Sequence, residues 1–277
     1  MNKLKKNKIA GMNICYKFFS LKYFLDSMVR VGTESIEFWG GFPHQYIDDI
    51  SHPPIGEVKK MIEERGLRLN CYTPEQLLYT YNIASPERDI REKSVEFFRK
   101  NIYAAYKLGT RKVLMTSGWA YEDYDKEEAW KYSRESLFEL GEYAQHLGMT
   151  IALENLQHVE SNLVYSLPAL KKMLSELRHP NIKAMVDTVP MHLMGETMAD
   201  YLDAFGQDLV HVHLVDGAPT GHMAWGDGEL PLDEDMKTLC EWDYQYTVTF
   251  ELAHDSYLFD PEPAMKRSFE RVKPYIE

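Results

Sequence analysis

The sequence is poor in cysteine: Cys15, Cys71 and Cys240 are the three among 277 residues. An odd number without close pairing makes no disulfide framework, and a reducing, cytoplasmic setting is the expectation. Cys15 and Cys71 sit in apolar runs and read as buried small hydrophobes. No apolar run approaches the roughly 18 residues that span a bilayer. The basic start, Met1 to Lys8, has no following apolar region with a small-residue cleavage site, so it reads as a frayed, solvated N-terminal segment. Positive charge is in deficit, with 31 Lys and Arg against 43 Asp and Glu and a net charge of -12. Such a surface repels phosphate backbones and anionic lipid, so neither nucleic acid nor membrane is an expected partner. No linker or low-complexity segment interrupts the chain, and one domain over residues 1–277 is expected. A homo-oligomer stays open.

What the sequence does contain is alternation. Short apolar runs, read as strands, lie at Ile9 to Cys15, Ser35 to Trp39, Arg68 to Tyr72, Lys112 to Ser117, Thr150 to Glu154, Ile182 to Asp187, Leu209 to Leu214 and Tyr246 to Glu251. Between them lie patterns of period near 3.6: Leu21 to Val31, Pro54 to Arg65, Pro86 to Leu108, Lys126 to Leu147, Leu167 to Leu177, Thr197 to Phe205, Asp233 to Glu241 and Pro261 to Tyr275. Gly32, Gly66, Gly109 and Gly148 stand where a helix gives way to a strand and a left-handed cap is wanted. Ser85-Pro86 and Asp260-Pro261 supply a cap followed by proline at a first helical position. Strands alternating with helices imply a parallel sheet, and eight such units close into a single α/β domain, the (β/α)8 or TIM barrel. A doubly wound open sheet is the structural alternative, but no Gly-x-Gly-x-x-Gly follows the first strand.

In such a barrel the chemistry sits at the C-terminal ends of the strands. The second half of the chain ends its strands IALE at Glu154, AMVD at Asp187, HVHL with His211 and His213, and VTFE at Glu251. A carboxylate ending an apolar strand is costly to desolvate unless it is paired or bound to a cation. Any one of these acids reads more readily as a rim residue in water. Their recurrence on neighbouring strands places three carboxylates and an imidazole around one axis, a plausible ligand set for Mn²⁺, Mg²⁺, Co²⁺ or Zn²⁺. His211 and His213 share a strand face, and spacing alone does not choose between them.

The strings ALEN, MVDT, HVHLVD and TFEL, in this order, resemble the xylose-isomerase-like barrel superfamily, which includes family 2 of the apurinic endonucleases. IEFWGGFPH from Ile36, CYTPE from Cys71, LENLQHVESNLV from Leu153 and WGDGELPL from Trp225 are similar to its fructoselysine and ketose 3-epimerase branch. That resemblance implies one divalent ion, Mn²⁺ by preference, held by Glu154, Asp187, His213 and Glu251. It also implies that Glu154 and Glu251 flank a substrate carbon, one removing and the other returning a proton through an enediolate. The proton α to a ketone is weakly acidic, so a Lewis acid at the carbonyl and a carboxylate base suit the task. The substrate implied is a ketose or a ketosamine such as fructoselysine or psicoselysine.

Glu160 and His222 match positions that contact substrate in that branch. His44, Trp119 and Tyr72 are further candidates, the aromatics with Trp39 and Trp225 as walls of a sugar pocket. Two positions depart from the pattern. Pro190 and Pro219 stand where simple-ketose epimerases carry a histidine and an arginine, so the near end of the sugar is gripped differently. The Asp-x-His pair of the apurinic endonucleases is Thr220 and His222 here, which argues against a trinuclear site. An aldose–ketose or inosose-type isomerase on the same scaffold is the alternative; an abasic-site nuclease and a non-catalytic sugar-binding protein rank lower.

Overall fold

In the computed structural model, which describes residues 2–47, 53–77 and 80–277, eight parallel strands form a closed barrel in chain order. They are β1 Ile9–Met12, β2 Ser35–Gly40, β3 Arg68–Pro74, β4 Lys112–Met115, β5 Thr150–Leu153, β6 Ile182–Asp187, β7 Leu209–His213 and β8 Thr247–Phe250. Pairing of Ala10 with Thr249 and Gly11 with Phe250 joins β1 to β8. That closure removes the open-sheet alternative. Helices α1 Leu21–Val31, α2 Ile55–Glu63, α3 Arg88–Leu108, α4 Lys126–His146, α5 Leu167–Leu177, α6 Thr188–Leu193, α7 Met198–Phe205, α8 Leu232–Glu241 and α9 Pro261–Arg271 follow the strands.

The capping residues act locally as their chemistry dictates. Ser20 and Ser166 accept from backbone N–H groups three residues on, and Thr197 forms a reciprocal capping box with Asp200. All four glycines expected at helix-to-strand junctions have positive φ, between 64° and 99°. Apolar side chains on the outer strand faces pack with the helices in one main core. Cys71, Leu114, Ala152, Met185 and Val210 form a second, small cluster. All three cysteines are free and buried. Among the described residues no helix is long and apolar enough to cross a membrane.

Three boundaries differ from expectation for identifiable reasons. The N-terminal segment is docked, not frayed. The Leu4 N–H donates to the Tyr275 carbonyl at 3.0 Å, Glu277 N–H donates back to Leu4 at 3.0 Å, and the Leu4 side chain is buried; only Met1 of that segment lies outside the described residues. β1 stops at Met12 because the Asn13 side chain takes over the ladder, accepting from Trp39 N–H at 2.6 Å and donating to Trp39 carbonyl at 3.0 Å. The chain then turns through Ile14–Tyr16. α3 begins at Arg88 rather than Pro86: its N-cap is Glu87, with extended backbone and no side-chain cap bond, and Ser85 instead accepts from Glu87 N–H at 3.3 Å in the turn ahead of the helix.

Candidate active site

Strand alternation places Glu37 of β2 and both His211 and His213 of β7 on the barrel's inner face, all fully buried. His213 lies toward the C-terminal end. Its Nδ1 is 2.9 Å from Glu251 Oε2, 3.3 Å from Glu154 Oε1 and 3.7 Å from Asp187 Oδ2. Despite these distances, Nδ1 makes no hydrogen bond of acceptable geometry. One ligand atom from each of the four residues falls within 4.8 Å of the others. Three carboxylates so close repel one another unless a proton or a cation sits among them. Burial, outweighing His213 and helped by Glu251 and Asp187, pushes the Glu154 carboxyl up to about 8. Burial pulls His213 down, but Glu251, Glu37 and the other carboxylates hold its imidazole well above the usual range. An unpaired buried nitrogen aimed at three carboxylates is the donor set that fits a divalent ion with oxygen ligands and one imidazole.

Local structure fixes each member. Asp187 ends β6 and caps α6, its Oδ1 accepting from Val189 N–H at 2.7 Å while its own N–H donates to Asn155 Oδ1 at 3.1 Å. Glu154 follows β5 and its N–H bonds to the Met115 carbonyl at 2.9 Å. Glu251 follows β8. Below the cluster, His213 Nε2 is 3.2 Å from Glu37 Oε1 and His211 Nε2 is 2.6 Å from Glu37 Oε2. Thr73 Oγ1 donates to the same carboxylate. Burial raises Glu37, yet the two histidines outweigh it and hold it well below the usual carboxylate range. His211 is pushed down to about 4, chiefly by burial.

Above the cluster lies a cavity of about 440 Å³, lined by Glu154 and Glu251 together with Trp39, Thr73, Glu75 and Thr116. Glu75 is partly enclosed, and burial raises its pKa against hydrogen bonds from the Leu77 and Gln76 backbone and the Trp39 side chain. His222, in the segment after β7, places Nε2 3.1 Å from Asp187 Oδ2 and 3.9 Å from Glu251 Oε2. Burial lowers it, but Asp187, Glu251 and Glu160 bring its pKa up to about 10. A neighbouring cleft of about 400 Å³ is lined by Trp119, Glu160 and Asn162. A third, about 270 Å³ and mostly apolar, contains Pro190, Leu193, Met194 and Thr220.

The model of the xylose isomerase-like TIM barrel family matches residues 25–275. The chain belongs to that family. Its relatives in the xylose isomerase-like family include the fructoselysine 3-epimerase of Shigella flexneri, 28% identical over 270 residues, covering 96% of this chain and 98% of the relative. The D-psicose 3-epimerase of Ruminiclostridium cellulolyticum is 25% identical over 237 residues, covering 83% of this chain and 77% of the relative. Among solved structures, that of a 3-keto-D-glucoside 4-epimerase from E. coli superposes with a TM-score of 0.83 at 19% identity, covering 97% of this chain and all of the other.

Within this xylose isomerase-like barrel, Glu154, Asp187, His213, Glu251 and His222 come together. Glu160 and Trp119 line the adjoining cleft, with the Glu160 carboxylate accepting from Gln157 N–H at 3.0 Å. Two expected substrate contacts do not face the cavity. Tyr72 points outward into the main core, where its hydroxyl donates to Asn101 Oδ1 at 3.1 Å. Alternation along β3 turns its neighbours Cys71 and Thr73 inward instead. His44 is enclosed, with Nδ1 2.8 Å from Asn13 Nδ2 and Nε2 2.8 Å from the Phe19 carbonyl. Both ring nitrogens are engaged, so it braces Asn13 and through it Trp39. Trp225 is also packed away, against Tyr275. Sequence reading passed over Glu37, although a carboxylate in the middle of an apolar strand was the available signal. It also passed over Asp216, whose carboxylate accepts from the N–H groups of Gly217, Gly226 and Leu230 at 2.8–2.9 Å and pins the segment that carries His222.

Proposed function

We propose that this protein, read as one domain over residues 1–277, is a cytoplasmic, divalent-metal-dependent epimerase acting at C3 of a ketose or ketosamine. The observation that carries the reading is His213 Nδ1, buried and without a hydrogen bond among the described residues, facing Glu154, Asp187 and Glu251 at the floor of a sugar-sized cavity. These four residues would hold the ion, with Mn²⁺ preferred because three of the four ligands are carboxylates, the hard oxygen donors that suit Mg²⁺ and Mn²⁺. When bound, the ion supplies Lewis-acid stabilisation of the charge that develops on substrate oxygens as the proton leaves. Glu154 and Glu251 arrive from different strands, β5 and β8. Their free carboxylate oxygens serve as the two bases, one taking the C3 proton and the other delivering one to the opposite face. His222 holds Asp187 in place and Glu160 receives a substrate hydroxyl.

The substrate's far end follows from the cavity's charge. Glu75 lines the same space as the two proposed bases, and no Lys or Arg lines it among the described residues. Pro190 contributes an apolar wall to the third, mostly apolar cleft and no side-chain donor. Such surroundings favour a cationic aminated ketose over a free one. The test is a panel of ketoses and ketosamines incubated with the Mn²⁺-loaded protein in deuterated water. Deuterium entering C3 with inversion supports the reading. A shifted carbonyl would identify an aldose–ketose isomerase, and absence of exchange from every sugar would reject both.

A further inference from the structure

The hydrogen bonds beneath the proposed metal cluster form a directional chain. Lys112 Nζ lies 3.1 Å from His211 Nδ1 and 2.7 Å from the Val210 carbonyl. His211 Nε2 reaches Glu37 Oε2 at 2.6 Å, and Glu37 Oε1 faces His213 Nε2 at 3.2 Å. An ammonium has only donors and a carboxylate only acceptors. With a donor at one end and an acceptor in the middle, each proton has one place. Lys112 donates to Nδ1 of His211, which puts the His211 proton on Nε2, toward Glu37. The other Glu37 oxygen requires a proton on His213 Nε2 as well. In the neutral imidazole that a metal requires, this leaves the His213 Nδ1 lone pair bare, aimed at Glu154, Asp187 and Glu251.

We propose that Glu37 is the positioning residue that fixes the His213 tautomer for metal binding, with Lys112 holding His211 as a donor in the same sense. The inference rests on the metal reading above. Glu37, Cys71 and His211 are themselves close enough to suggest a second metal group. The hydrogen bonds argue otherwise: both His211 nitrogens are engaged, Nδ1 by Lys112 and Nε2 by Glu37.

A specific pattern follows from the donor and acceptor count. In Glu37→Gln one oxygen becomes an NH₂ group. Lys112 forces His211 to keep donating, so the amide oxygen must turn to His211 and the NH₂ to His213. That NH₂ needs an acceptor, which drives the His213 proton onto Nδ1 and blocks the metal. Loss of a group that orients a ligating histidine weakens metal affinity roughly 10- to 100-fold. Lys112→Met alone binds Mn²⁺ nearly as the native protein does, because a carboxylate keeps both histidines donating. In the double variant His211 is free to turn its proton to Nδ1. The amide can then flip, offer its oxygen to His213 and recover most of the lost affinity. A merely structural role predicts the reverse, with the double variant at least as impaired as either single one.

The experiment is calorimetric titration of metal-free protein and the three variants with Mn²⁺, each checked for a native melting transition. It is paired with ¹⁵N NMR of the histidines in the native protein loaded with diamagnetic Zn²⁺. Recovered affinity in the double variant, and protons on Nε2 of both histidines in the native protein, are the expected results. A double variant no tighter than Glu37→Gln, native-like binding by Glu37→Gln, or a proton on Nδ1 of either histidine in the native protein would overturn the proposal. Should a variant fail to fold, the native NMR spectrum decides alone. Failure of the native protein to bind any metal would instead reject the functional reading.

Discussion

Replacing Asp216 by alanine removes the pin of the segment that carries His222. Its carboxylate is 1% exposed and accepts three backbone N–H groups, from Gly217 and Leu230 at 2.9 Å and Gly226 at 2.8 Å. Hydrogen bonds to a charged group contribute about 1.5–3 kcal/mol each. The segment lies near the surface, and its freed N–H groups regain water, so a net loss of about 3 kcal/mol is expected rather than the full value of three bonds. Unfolding entropy near 2.1 cal/mol/K per residue then converts this into a fall in Tm of about 5 °C for a chain of this length. Gly228→Ala should act alike, since a Cβ there would stand 2.4 Å from Asp216 Oδ1 and 2.5 Å from Gly217 N. Both variants should bind Mn²⁺ more weakly but not lose it, because the four proposed ligands stay at their strand ends while Asp187 loses the His222 contact at 3.1 Å. Both should lose turnover as His222 leaves Asp187. Thermal unfolding, metal titration and kcat/KM measured on the same samples test this together. An Asp216→Ala protein with native Tm and native turnover would refute the reasoning.

Three further outcomes follow. Glu251→Gln keeps a ligating oxygen but removes a base, so solvent exchange should fall by orders of magnitude with metal binding only weakened, whereas His213→Ala should lose the metal; elemental analysis beside the exchange assay separates the two. Glu75→Gln should lower kcat/KM for a ketosamine more than for free fructose, and an equal loss on both would remove Glu75 from substrate choice. Burial holds the His44 pKa below its usual 6.5. A neutral buried histidine contributes stability that is present above the unfolded value and is lost as pH falls through it toward the folded one. The stability advantage of the native protein over His44→Gln should therefore shrink between pH 7 and pH 5 in denaturant titrations.

The barrel was legible because its signals are local. Period-2 and period-3.6 patterns, and glycines at helix ends, act within a few residues, and all four expected glycines have positive φ, Gly32 and Gly109 as left-handed caps and Gly66 and Gly148 just beyond the cap. The carboxylates Glu154, Asp187 and Glu251 were legible because each sits at a strand end and a parallel barrel gathers those ends, whereas the choice of His213 over His211 rested on the family resemblance. What escaped depends on facing and on distance along the chain. The phase of β3 decides whether Tyr72 or Thr73 looks inward, and the partner that identifies Thr73 as the inward residue is Glu37, 36 positions away. His44 is closed off by Asn13 and Phe19, 31 and 25 positions away. The N-terminal residues read as loose because what holds them, Tyr275 to Glu277, comes last in the chain.

The central claim concerns one ion at one place. Crystals of the metal-free protein soaked in Mn²⁺ and measured at the manganese absorption edge would test it most directly. The account predicts a single anomalous peak within bonding distance of His213 Nδ1 and the carboxylates of Glu154, Asp187 and Glu251. A peak between Glu37, Cys71 and His211, or two or more ordered ions in the barrel, would contradict it.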